Sequence, residues 1–389
     1  MSLHPNTQAV RIQTPRTNEM EHSTPLFLTS SFCFDNSEEM RAAFAEENDS
    51  NIYSRFSNPT VQEFIDKLCA LEGAEAGFAT ASGMSAIFGV FMAFLSSGYH
   101  LLSCKSVFGS THTIITKYLQ RWKIDYSYAD IKHPETWESL IRPNTKMIYV
   151  ETPTNPGLDI VDMEWLGALA RKHNIILLVD NCFATPVLQK PIDYGADLVL
   201  HSATKWLDGQ GRVLGGVVVG KKELIRDLYL FCRNTGPSIS PFNAWVLSKS
   251  LETLDVRIQR HCDNAEALVK ALEGHPKLNS IKYPFHPSHP MYEIAKKQMT
   301  RGGGLVTFDL KGGVEAGKKF MDALQMLSLT SNLGDTRSIA SHPPSTTHSK
   351  LSREEQESVS ITPGLIRISV GLEHASDIIA DIMQALDKC

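Results

Sequence analysis

Long apolar runs are missing from this 389-residue sequence. None approaches 18 residues, and the first 25, which include His4, Pro5, Arg11, Pro15, Arg16 and Glu19, have no apolar core. Neither a membrane-spanning helix nor a secretory leader is expected. Blocks of like charge are also missing. The formal net charge is −5 and no five like charges are consecutive, so there is no basic footprint for nucleic acid or an anionic membrane. Cys-x-x-Cys is absent, and the seven cysteines, at 33, 69, 104, 182, 232, 262 and 389, are odd in number and scattered. That pattern fits a reducing cytoplasm. The nearest approach to a metal pair is His286-Pro-Ser-His289, but its prolines imply an irregular loop and no Cys or acidic cluster accompanies it, so no metal is expected. What remains is a long chain, 42% hydrophobic, with room for two substantial cores and small molecules as its expected partners.

Residues 1–60 have many turn-formers and few periodic runs, and read as an extended N-terminal arm. From 61 the chain becomes periodic. Residues 61–72 read as a core-facing helix stopped by Gly73, and strands and helices then alternate: strand 77–81, helix 84–95, strand 101–104, helix 111–122, strands 124–129 and 147–150, helix 162–173, strand 175–179. With strands at 196–200 and 213–219, this gives a seven-stranded, mostly parallel sheet with helices on both faces, hence an α/β fold. A long helical pattern at 241–272 places a domain boundary near residue 250. Beyond it, strands at 305–310, 327–330 and 365–370 with helices at 317–326 and 374–386 form a smaller C-terminal α+β domain, so the expected units are 1–60, 61–250 and 251–389. Residues 342–350, rich in Pro, Ser and Thr, read as the most mobile loop.

The chain is organised around residues 201–216, His-Ser-Ala-Thr-Lys-Trp-Leu-Asp-Gly-Gln-Gly-Arg-Val-Leu-Gly-Gly, where Lys205 follows an apolar strand and precedes a glycine-rich turn. Loops at strand ends are where active sites gather. A solvated surface lysine is the bland reading, but it explains neither the apolar lead-in nor the glycines. A Ser-x-x-Lys acyl-enzyme, with Ser202 as nucleophile, also needs Ser-Asp-Asn and Lys-Thr-Gly, and neither occurs. A Schiff-base lysine, with Ser202 and Thr204 gripping the phosphate of pyridoxal phosphate, needs a partner for the ring nitrogen and a phosphate cup.

Both are available. Asp180 ends the strand 175–179, and a buried carboxylate there suits a protonated pyridine nitrogen. At Ser82-Gly83-Met84-Ser85 a strand turns into a helix whose first N–H groups favour an anion. Gly209-Gln-Gly211 is no dinucleotide fingerprint, because the third glycine is misplaced and a strand follows where a helix belongs.

These segments resemble the Cys/Met-metabolism enzymes that use pyridoxal phosphate. The likeness extends over Tyr53-Ser-Arg-Phe-Ser-Asn-Pro-Thr, Ala79-Thr-Ala-Ser-Gly-Met, Glu151-Thr-Pro-Thr-Asn-Pro, Val179-Asp-Asn, the stretch from His201 to Arg212, and Arg367-Ile-Ser-Val-Gly-Leu-Glu. The resemblance implies a fold-type I transferase, with Lys205 as the cofactor-bound catalytic lysine and Asp180 on the pyridine nitrogen. It puts Asn155 near the ring hydroxyl and Gly83, Met84, Ser202 and Thr204 on the phosphate. Tyr53 and Arg55 would reach a neighbouring subunit's phosphate, so a homo-oligomer, a dimer of dimers, is implied. Arg367 would bind the substrate carboxylate, a bidentate task.

Two departures from the wider family narrow the implied chemistry. Phe108, in Val107-Phe108-Gly109, stands where many members stack a tyrosine, and Ser331-Asn332-Leu333-Gly334 replaces Glu-Ser-Leu-Gly, putting Asn332 near the substrate carboxylate. Both resemble the branch that acts on O-succinylhomoserine. The implied reaction is γ-replacement on an O-acylhomoserine by sulfide, giving homocysteine and succinate for methionine biosynthesis. The rivals are cystathionine γ-synthase and methionine γ-lyase chemistry, and a catalytically silent scaffold with the same fold.

Overall fold

A computed structural model describes residues 3–346, 349 and 352–389. Its larger sheet contains β1 (Ala76–Thr80), β2 (His100–Cys104), β3 (Asp125–Ala129), β4 (Thr145–Glu151), β5 (Ile176–Asp180), β6 (Leu198–Ser202) and β7 (Gly216–Gly220), in the order β1-β7-β6-β5-β4-β2-β3. The central pairs are parallel, and β7 alone runs antiparallel to both neighbours. Six strands therefore deliver their carboxyl ends to one edge of the sheet. Strands β2 and β7 are buried throughout, as expected of apolar runs covered on both faces. The fold is the expected α/β arrangement of a mostly parallel seven-stranded sheet between helices.

The second sheet comprises β8 (Leu278–Lys282), β9 (Leu305–Leu310), β10 (Ser328–Leu329), β11 (Ile339–Ser341) and β12 (Leu365–Ser369), ordered β10-β11-β12-β9-β8. All its pairs are antiparallel except β10 with β11. Strand β8 escaped the sequence reading because it is an edge strand with two exposed residues, and β11 because it has only three residues.

Two further expectations need correction. The helical pattern at 241–272 is two helices, Pro241–Leu251 and Leu254–Leu272. The Ser250 carbonyl is taken by Thr253 Oγ1 (3.2 Å) and Arg257 Nη2 (3.0 Å), and Thr253 leaves the helical region (φ −113°, ψ 8°). Helix Lys222–Thr235 was not anticipated at all. Leu254, Ile258 and Cys262 pack into the core of the large sheet, whereas Ala265, Leu268 and Leu272 pack into that of the small one, so a single helix joins the two cores.

The N-terminal arm includes two short helices, Pro5–Arg11 and Ser37–Phe44. Its first half is tied to its own chain: Thr14 N–H donates to Glu63 (2.9 Å) and Trp245 Nε1 to the Thr24 carbonyl (3.2 Å). Met40, Phe44 and Tyr53, further along, are exposed. Of the loop 342–350, residues 343–345 form a short 3-10 turn, and Thr347, His348 and Lys350 lie outside the described residues. Among the described residues no helix is long and apolar enough to cross a membrane, and no three His, Cys, Asp or Glu side chains are grouped to hold a metal ion.

Candidate active site

The carboxyl edge of the large sheet opens into a cavity of about 670 Å³, whose wall includes Gly83, Met84, Phe108, Asn155, Asp180, Ser202, Lys205 and Arg367. Chain topology brings these together: β1, β2, β4, β5 and β6 each release a loop at the same edge, and β12 of the second sheet faces them with Arg367.

Lys205 sits in a tight turn after β6. Its N–H donates to the Ser202 carbonyl (3.1 Å) and its carbonyl accepts the Gly209 N–H (2.8 Å). Arg257 grips the same turn, donating to the carbonyls of Trp206 (2.8 Å) and Leu207 (3.3 Å). Gly209 has φ +68°, and a Cβ there would lie 1.9 Å from the Arg257 guanidinium, which is why the turn takes glycine. Lys205 Nζ donates to Asn332 Oδ1 (2.5 Å). Burial lowers the pKa of this amine, and the nearby Arg367 guanidinium acts in the same direction.

Asp180 closes β5, in register with Glu151 at the end of β4. Its Oδ1 accepts the Cys182 N–H (3.0 Å) and its Oδ2 the Tyr149 hydroxyl (3.4 Å). No cation pairs with it among the described residues, and burial pushes its pKa up to about 6 against those hydrogen bonds and the neighbouring His201. Sequence reasoning missed Glu151, which is 4% exposed, accepts the Phe108 N–H (3.0 Å), and is pushed well above the usual carboxylate range by burial, with the charge of Asp180 adding. The available signal was its place at the start of a quoted motif, an acid at a buried strand's carboxyl end. Also missed was the fully buried pair beneath the site, His201 Nε2 with Glu72 Oε1 (2.6 Å).

Helix Gly83–Phe94 begins beside this floor. Ser82 Oγ accepts the Ser85 N–H (3.1 Å), completing a capping box that leaves the amides of Gly83 and Met84 without helical partners. A Cβ on Gly83 would stand 2.7 Å from Ser202 Cβ, so glycine is what allows the helix start to meet the end of β6.

Arg367 donates from Nη1 to Asn155 Oδ1 (2.7 Å) and from Nη2 to the Asn332 carbonyl (3.3 Å). It is buried, its Nε–H has no acceptor among the described residues, and burial lowers its pKa to about 10 against the opposing pull of Glu151. A buried guanidinium with an open N–H is prepared for an incoming anion.

Four candidates do not line the cavity. Thr204 Oγ1 is engaged with Gly215, accepting its N–H (3.1 Å) and facing its carbonyl (3.3 Å). Tyr53 and Arg55 lie elsewhere, bordering a depression with Phe32, Met40 and Phe44. The Arg55 guanidinium stacks over Phe56 (4.8 Å) and Tyr53 (5.5 Å) and donates to the Arg233 carbonyl. Asn332 touches the site through its bonds to Lys205 and Arg367.

The site thus combines an amine of lowered basicity, an unpaired buried acid, free helix-start amides and a guanidinium with an open donor. The sequence pattern of the Cys/Met metabolism PLP-dependent enzyme family matches residues 6–387. The chain is 46% identical to O-succinylhomoserine sulfhydrylase of Pseudomonas aeruginosa, covering 98% of this chain and 94% of that one. It is 42% identical to L-methionine gamma-lyase of Porphyromonas gingivalis, covering 94% and 92% respectively. A solved structure from Campylobacter jejuni, assigned as an O-acetylhomoserine (thiol)-lyase and containing pyridoxyl-lysine-5'-monophosphate at residue 205 of that chain, superimposes with a TM-score of 0.95 at 33% identity. It covers 99% of this chain and 100% of its own.

Proposed function

Because the chain belongs to the family of pyridoxal-phosphate-dependent enzymes of cysteine and methionine metabolism, we propose that it catalyses γ-replacement on an O-acylhomoserine, taking O-succinylhomoserine and sulfide to homocysteine and succinate. The cofactor fits the residues present. Lys205 would hold it covalently through Nζ, Asp180 would receive the protonated ring nitrogen and so gain the cation it lacks, and the Gly83 and Met84 amides with Ser202 would take the phosphate. Asn155 would lie at the ring hydroxyl and Phe108 against the ring face. When bound, the cofactor supplies an electrophilic aldehyde and an electron-withdrawing ring.

The chain's own groups do the rest. Arg367 holds the substrate carboxylate with its open Nε–H and with donors now lent to Asn155 and Asn332. Lys205 Nζ, kept less basic by burial, would serve as the base for the substrate's α-proton when it is not holding the cofactor, and Asn332 Oδ1 would steady it through the hydrogen bond already present. A β-proton would leave as well before succinate departs from the γ-carbon with the electrons of the C–O bond; hydrosulfide would then add at that carbon, and the α- and β-carbons would each regain a proton, with Lys205 the nearby proton carrier.

The observation that carries this reading is the wall formed by Phe108 and Ser331. Phe108 has no hydroxyl to protonate a leaving thiolate, and Ser331 offers no carboxylate to anchor the ammonium of an amino-acid nucleophile. Hydrosulfide needs no such anchor. Methionine γ-lyase chemistry is the second reading, supported by the gamma-lyase relative. With equal sulfide and cysteine, homocysteine should form fastest from O-succinylhomoserine. Faster cystathionine formation would move the assignment to cystathionine γ-synthase, and rapid α-ketobutyrate release from methionine to the lyase.

The same reading takes residues 1–60 as the arm, 61–250 as the cofactor-binding unit and 251–389 as the smaller C-terminal unit. It makes the protein a cytoplasmic homo-oligomer, a dimer of dimers, in which Tyr53 and Arg55 complete a neighbouring chain's phosphate site. Supporting it are the absence of Tyr53 and Arg55 from the described lining of their own chain's cavity and seven cysteines that are all free.

A further inference from the structure

Among the described residues the cavity wall holds three lysine or arginine side chains, and two of them are committed. Lys205 is bonded to Asn332, and Arg367 to Asn155 and the Asn332 carbonyl. The third, Lys105, follows β2 directly, is half-buried, and has no hydrogen-bond or ion-pair partner among the described residues. Among the described residues the carboxylates in the wall are Glu151 and Asp180, both buried at strand ends and both accepting backbone N–H groups. Next to Lys105 in the chain are the hydroxyls of Ser106 and Ser110, and the acid nearest by sheet register, Glu151 at the end of the adjacent β4, is buried with its carboxylate engaged by the Phe108 N–H. Among the described wall residues, Lys105 is therefore the cation left free to meet an anion.

Its place in the sheet fixes how far that anion lies from the reacting carbon. Strands β2 and β6, which launch Lys105 and Lys205, are separated by β4 and β5. Three strand spacings amount to roughly 14 Å. A lysine reaching inward from each side, with an extended acylhomoserine between them, spans that gap. If the substrate's amino-acid end is held at Arg367 and Lys205, as proposed above, an acyl group directed towards β2 comes within reach of Lys105.

We propose that Lys105 binds the free carboxylate of a dicarboxylic acyl group and so sets the preference for a succinyl over an acetyl ester. The inference rests on the O-acylhomoserine reading given above. It assigns recognition to Lys105 and no part in bond-making, because its ammonium meets the end of the leaving group furthest from the γ-carbon. The carboxylate pairs with an existing charge, and succinate leaves with that pair already formed.

The test compares kcat/KM for O-succinylhomoserine and O-acetylhomoserine, with sulfide, in the holoenzyme. Lys105→Ala should lower the succinyl value about tenfold while the acetyl value stays within about twofold, so the preference collapses. Lys105→Arg should keep the preference, since it keeps the charge, and Lys105→Glu should depress the succinyl ester further. An unchanged ratio in Lys105→Ala, or equal losses on both esters, would overturn the proposal. If the wild type turns over neither ester, the proposed function has failed, and succinate titrated into the holoenzymes by calorimetry then decides the subsite. Affinity about tenfold weaker in Lys105→Ala sustains it, and equal affinity overturns it.

Discussion

Asp180 shows how a single residue is prepared for a partner. A carboxylate buried without a cation is costly, and here the cost appears as a pKa pushed up to about 6 by desolvation. A raised carboxyl pKa means that the folded apoprotein gains stability from this group only below its ordinary value near 4 and loses it as pH rises towards 6. At pH 7 to 8, Asp180→Asn apoprotein should therefore be more stable than wild-type apoprotein, by about 1–3 kcal/mol, measured by chemical denaturation. The same variant should lose most turnover, because a neutral amide cannot keep the ring nitrogen protonated. Unchanged apoprotein stability would show that solvent reaches the carboxylate, and near-normal turnover would remove Asp180 from the mechanism. The residue was legible in the sequence because an acid ending an apolar strand is conspicuous. Glu151 ends the neighbouring strand in the same way but was read only as part of a longer motif. Lys105 gave no sequence signal, since a lysine after a strand is ordinary until the cavity is seen.

At the scale of elements, the loops that hold the site were easier to read than the segments whose ends depend on distant contacts. The strand before Lys205 and the glycines after it are local signals, and they located the turn correctly. The break between Pro241–Leu251 and Leu254–Leu272 is not local. Its cause is Arg257, which is held at Trp206 and Leu207 and takes the Ser250 carbonyl from the helix. Thr204 shows the same limit: its hydroxyl faces Gly215, a contact that exists only once β6 and β7 have paired. The junction of helix Gly83–Phe94 with β6 can be tested directly. A Cβ at Gly83 lands 2.7 Å from Ser202 Cβ, both of them short, stiff groups, so the helix start must draw back. Gly83→Ala should weaken pyridoxal phosphate binding about tenfold or more and cost about 1–3 kcal/mol of stability. Cofactor titration by absorbance reads the first effect and urea denaturation of the apoprotein the second. Undiminished affinity would show that the helix start does not hold the phosphate.

At the scale of the whole molecule, the cavity is built from both sheets of one chain, yet the groups we propose for the phosphate are uncharged: the Gly83 and Met84 amides and Ser202. A doubly charged phosphate calls for a cation, and among the described residues the candidates are engaged or elsewhere: Lys105 lies across the sheet, Arg367 is bonded to Asn155 and Asn332, and Arg55 lies in the N-terminal segment among exposed apolar residues. An arm fixed at its base by Glu63 and Trp245, with Met40, Phe44 and Tyr53 left exposed further along, is suited to lie against a second copy. If it does, each active site combines Lys205 from one chain with Arg55 from another, and two inactive variants can repair each other. Arg55→Ala and Lys205→Ala proteins, each inactive alone, should regain activity when unfolded and refolded together. In a hybrid pair one site has both defects and the other has neither. With random pairing, half the dimers are hybrids and half of their sites are intact, so recovery should approach about a quarter of the wild-type rate. Borohydride reduction followed by mass spectrometry should find pyridoxyl label only on the chain that retains Lys205. Hybrids confirmed by mass but lacking activity would place Arg55 outside the neighbour's site, and the phosphate would then have to be held without it.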